Sequence, residues 1–87
     1  MKTVYKYKLM IDDLQSVNLP KGAKPLCVKV QNNVPCLWAL VDPNETEVEP
    51  IGIRIAGTGH PINEDVKDYL GTAIMYDGNL VFHFFTV

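Results

Sequence analysis

Apolar and polar residues alternate with a period of two along most of this 87-residue chain. Short runs of that kind, bounded by Gly, Pro, Asn and Asp, are strand signals. Thr3–Ile11 is rich in Tyr, Val and Leu, and Asp12-Asp13 offers a tight turn into Leu14–Leu19, which predicts a first hairpin. Lys6 and Lys8 share a face with Val4 and Met10, as lysines do on a sheet edge that must not recruit another strand. Pro20–Pro25 reads as a loop.

A second hairpin joins Leu26–Gln31 to Val34–Val41 through Asn32-Asn33, since Asn tolerates the positive φ angles of a type I′ turn. That turn sets Gln31 opposite Val34, Lys29 opposite Cys36 and Cys27 opposite Trp38. Leu26, Val28, Val30, Leu37, Ala39 and Val41 then form a core face, and Cys27, Lys29, Gln31, Val34, Cys36, Trp38 and Leu40 the other. Asp42–Pro50 is acidic and aperiodic, a surface loop. Ile51–Ala56 alternates isoleucine with Gly, Arg and Ala and predicts a half-buried strand. Ile62–Asp68, with Asn63 as N-cap, predicts one helical turn.

The last hairpin runs Tyr69–Tyr76, a turn around Asp77-Gly78, then Leu80–Thr86. Gly71, Ala73 and Met75 oppose Leu80, Phe82 and Phe84 in the core, while Thr72, Ile74, Val81, His83 and Phe85 face away. The whole predicts a mostly β fold: one domain over residues 1–87, an antiparallel β-sandwich or open barrel of about seven short strands with at most one short helical turn. Two hairpins carry apolar residues on their second face as well, and a chain this short has little left to cover them. A homo-oligomer is therefore expected.

Charge narrows the partners. The net charge is −2, and the eight basic residues are spread along the chain, only Lys6, Lys8, Lys21 and Lys24 standing close together. Duplex DNA, which demands several cations on one face, is not expected. No stretch is long and apolar enough for a membrane helix, and Met1–Lys8 does not resemble a secretory leader, so a cytoplasmic protein is expected. Cys27 and Cys36 fall as diagonal neighbours, typically about 7–8 Å apart. Bridged cysteines have Cα atoms about 4.4–6.8 Å apart, so both thiols should be free.

One cluster looks like a ligand loop. Gly57, Thr58, Gly59 and His60 offer close-approaching amides, a hydroxyl and an imidazole, and Arg54 on the strand leading in offers a guanidinium for phosphate or carboxylate. The plain alternatives are a structural turn and a solvated arginine, or one paired with the Glu45–Glu49 region. Trp38 suits stacking, interface packing or core. Two Cys and two His lack any paired spacing for zinc, and no catalytic constellation stands out, so neither metal, cofactor nor enzymatic activity is expected.

The blocks Leu19–Val28, Val30–Pro43, Gly57–Ile62, Tyr69–Thr72 and Leu80–His83 together resemble a family of short bacteriophage and prophage proteins, a domain of unknown function, over nearly the whole chain. Asn33 stands where that resemblance leads one to expect glycine. The resemblance implies a phage accessory protein in the cytoplasm of a bacterial host. Joined to the expected oligomer and ligand loop, it gives a sponge: a binding protein that sequesters a small anionic, nucleotide-derived ligand such as a bacterial immune signal, with Arg54, Gly57–His60 and Trp38 as its site. The alternatives are a protein-interaction or virion component, and a phosphodiesterase or nuclease drawing on Glu64, Asp65 and Asp68 near His60.

Overall fold

Seven strands in two antiparallel sheets make up the computed structural model, which describes residues 1–87. They are β1 (Thr3–Lys8), β2 (Leu14–Pro20), β3 (Lys24–Gln31), β4 (Val34–Val41), β5 (Val48–Gly57), β6 (Tyr69–Met75) and β7 (Leu80–Thr86). One sheet has the order β1-β4-β3 and the other β2-β5-β7-β6. The two inner faces bury Phe84, Leu37, Ile53, Leu19, Val28 and Val41 almost completely between them. Each such side chain contributes about 1.5–3 kcal/mol. No helix is long and apolar enough to cross a membrane.

The second hairpin has the register that its turn dictates. Gln31 pairs with Val34, Lys29 with Cys36 and Cys27 with Trp38. Asn32 and Asn33 take φ of 53° and 62°, the left-handed pair of a type I′ turn. A bulge between Pro25 and Cys27 breaks the alternation, so Leu26, expected in the core, is 41% exposed. Both cysteines are free thiols. The last hairpin keeps its expected pairing, but Leu80, expected in the core, is 41% exposed beside a four-residue loop, Tyr76–Asn79, closed by the Asn79 amide on the Tyr76 carbonyl.

Two local expectations fail for tertiary reasons. β1 and β2 do not form a hairpin: β1 pairs with β4, and β2 with β5 in the other sheet. Asp12-Asp13 belongs to a corner between sheets, where the Gln15 side chain bonds both the amide and the carbonyl of Met10 and Leu9 is buried. Ile62–Asp68 forms no helix. Its end is drawn out against β7, where the Lys67 and Asp68 amides donate to the carbonyl and hydroxyl of Thr86, and the Thr86 amide donates to the Asp68 carbonyl.

That segment has a long way to go, because β7 lies between β5 and β6. The connection from β5 must cross β7 to reach β6. Where β3 approaches β6, Gly71 has φ of 135°, and a β-carbon there would lie 3.1 Å from the Val28 carbonyl oxygen. No β3–β6 ladder forms, so the two sheets remain a sandwich and do not close into a barrel.

Candidate functional site

The Gly57–His60 turn closes through the His60 amide on the Gly57 carbonyl, 3.1 Å, with Gly59 at φ 84°. The His60 ring lies so close over Gly57 that a β-carbon there would stand 2.8 Å from its Nδ1. Gly57, Thr58 and His60 form one side of an open groove of about 310 Å³, and Asn79–Phe82 the other. Part of the expected ligand loop therefore does line a depression, with a hydroxyl, an imidazole and an amide on apolar walls. No Lys or Arg lines it.

Thr58 is also the end of a hydrogen-bonded row across the outside of the four-stranded sheet. Its hydroxyl lies 2.7 Å from His83 Nε2, and Thr72 Oγ1 lies 2.9 Å from His83 Nδ1. Tyr69 then bonds Thr72. A neutral imidazole donates from one nitrogen and accepts at the other, so one threonine donates to the ring and the other receives from it. No carboxylate stands behind the imidazole in this row to stabilise a positive charge, the part an acid–base triad assigns to aspartate.

Arg54 is not part of this groove. Its side chain leaves the outer face of β5, yet the residue is only 9% exposed. Nε donates to Glu64 at 2.7 Å, and the terminal nitrogens donate to the carbonyls of Asp13, Ile55 and Pro61. The guanidinium therefore pins both the corner before β2 and the crossing segment, with Glu64 as its partner and not the Glu45–Glu49 loop. Its hydrogen bond, above all, holds the Glu64 carboxyl below the usual carboxylate range.

Trp38 lies on the opposite side of the molecule, outside the three-stranded sheet, where the register lays out the rows. Leu40 sits between Val4 and Lys24, Trp38 between Lys6 and Cys27, and Cys36 between Lys8 and Lys29. Lys6 reaches over the indole, its ammonium 5.9 Å from the ring centroid, and donates to Gln31 at 2.6 Å. Indole Nε1 is enclosed and has no partner.

The charge on this sheet is one-sided. Its three strands hold Lys6, Lys8, Lys24 and Lys29 and no acidic residue. All ten carboxylates of the chain lie elsewhere. Neighbouring strands are about 4.8 Å apart, which places Lys8 and Lys29 on either side of Cys36, roughly 10 Å from each other at the backbone. Along the sequence these lysines look dispersed because β1 and β3 are separated by β2; only β4, lying between them, makes a patch.

Tools for metal chemistry are not assembled: no group of three or more His, Cys, Asp or Glu side chains is placed to hold an ion. Of the residues expected to act together, Gly57, Thr58 and His60 meet in the groove, Arg54 is tied into the scaffold, and Trp38 sits on the far sheet. Nothing local in the sequence joins all four lysines to Trp38: the Asn-Asn turn places Lys29 on that face, the bulge after Pro25 brings Lys24 round, and Lys6 and Lys8 join through the β1–β4 pairing.

Fold and surface thus define a small two-sheet β-sandwich with one open, carboxylate-free basic face centred on tryptophan. The family model described as Domain of unknown function (DUF7352) matches residues 1–87, and the chain belongs to that family. No curated protein and no solved structure matches it.

Proposed function

We propose that this protein is a non-catalytic binding protein that captures a small, anionic, nucleotide-derived ligand and works by sequestration as a homo-oligomer. The setting proposed with it is the cytoplasm of a bacterial host, the protein serving a bacteriophage or prophage and the ligand being a signal of host immunity. One observation carries the binding reading: four lysines flank Trp38 on a sheet that holds no carboxylate. Ammonium groups meet phosphates as point charges, and an indole face stacks on a base. Arg54, with its donors engaged by the protein, has no part in this reading, and the Gly57–His60 groove is secondary because no Lys or Arg lines it.

The outer face of the other sheet favours a second reading, a protein-interaction component. Tyr69 and Ile74 stand there 60% and 66% exposed. The two readings separate on a titration of Trp38 fluorescence with cyclic dinucleotides, cyclic trinucleotides and ADP-ribose. Sequestration predicts quenching by at least one of them, weakened as salt is raised and at least tenfold weaker in the exposed-lysine variant K8Q/K29Q. Absence of quenching across the panel, or binding abolished by His60→Ala and untouched by K8Q/K29Q, would overturn the assignment to this face.

A further inference from the structure

We infer that the bound anion is shared: one ligand is held between two copies of the Trp38 face, which meet only when the ligand's negative charge lies between them. This rests on the binding reading above and concerns how that same site is completed. β1 and β3 are the edges of the three-stranded sheet, and no element of the chain is hydrogen-bonded beyond either. On the face itself Lys6, Lys8, Lys24 and Lys29 are exposed and Trp38 is half-buried, so it has a floor and no opposing wall, and both surface depressions of the molecule lie elsewhere. Sites for small ligands enclose most of the ligand surface, and an open sheet cannot do so alone.

A second copy of the same face supplies the wall. Val34, Trp38 and Leu40 form a half-buried apolar stripe along β4 that a partner stripe would cover. Two such faces brought together bare would oppose eight ammonium groups, since each sheet has four lysines and no carboxylate to pair with them. Like charges juxtaposed at an interface are costly. An anion carrying two or more negative charges removes that cost, and its planar base fits between two indoles once Lys6 swings off the ring. A long polyanion fits less well, because beyond the patch it runs into a chain whose ten carboxylates all lie outside this sheet. The ligand class is accordingly compact: a cyclic oligonucleotide or a nucleoside carrying two or more phosphates.

Sedimentation velocity of the full chain, with cyclic di-AMP, ADP-ribose or ATP added in low salt, together with calorimetric stoichiometry, tests this. The expected result with at least one of the three is a doubling of the ligand-free mass at one nucleotide per two chains, reversed by high salt. In K8Q/K29Q the doubling should require at least tenfold more nucleotide, with the melting temperature close to that of the wild type. One nucleotide per chain without change in mass would overturn the shared site and leave the binding reading standing. No binding of any of the three overturns both. Tighter binding of the single strand dT12, again without doubling, overturns the compact ligand and the shared site together.

Discussion

Arg54 shows how a residue chosen for its chemistry becomes a structural part. Charge and position beside a glycine-rich turn suggested an anion ligand, but the crossing of β7 by the segment after β5 gives its guanidinium four acceptors within the chain. Nothing local in the sequence announces that crossing. Arg54→Ala should lower stability by about 2–3 kcal/mol, read by urea unfolding, because three carbonyls and a carboxylate lose a charged donor. Glu64 is about a third exposed and can rehydrate, which keeps the loss below that of a fully buried pair. Nucleotide binding should be unaffected in the molecules that stay folded. Since Arg54 depresses the Glu64 pKa, the folded state holds that proton more weakly than the unfolded chain. The pair's stabilisation is thus complete above the ordinary value of 4.5 and fades as pH falls through the lower folded value. Glu64→Gln should flatten that part of the acid limb in a pH series of unfolding free energies; an unchanged acid limb would mean the pair does not couple to folding.

Turns were legible where the turn itself fixes the answer. Asn32-Asn33 dictated the register of β3 against β4, and with it the place of Lys29 on the face of Trp38; Lys24 reaches that face through the bulge after Pro25, and Lys6 and Lys8 through the pairing of β1 with β4. Asp12-Asp13 misled, because a short polar link between two strand-like runs is equally compatible with a corner that changes sheet. The choice was made by distant partners: Tyr5 and Tyr7 against Ala39 and Leu37 for β1, and Val17 against Ile51 for β2. Asn33→Gly should raise stability by about 0.5 kcal/mol, since glycine meets φ of 62° without a steric penalty. Gly71→Ala should lower it by about 2 kcal/mol, from the strained φ and the 3.1 Å approach to Val28. Thermal melts of the two variants should therefore move in opposite directions. Thiol labelling of the native protein should modify half-buried Cys27 well before buried Cys36, and denaturation without reductant should release both as free thiols.

For the molecule as a whole, composition concealed the main feature. A net charge of −2 describes no surface of this protein, since it averages a sheet whose only charged residues are lysines with the rest of the chain, which holds every Asp and Glu. The hydrophobic pattern revealed two sheets' worth of strands and the second apolar faces, but which strands lie side by side depends on long-range pairing that periodicity does not encode. Native mass spectrometry of the protein purified from bacteria producing immune nucleotides tests the central claim most directly. The predicted result is a bound, phosphate-bearing mass that is retained by a His60→Ala variant and lost from K8Q/K29Q. A ligand retained by K8Q/K29Q, or protein that never carries a nucleotide mass, would contradict the account.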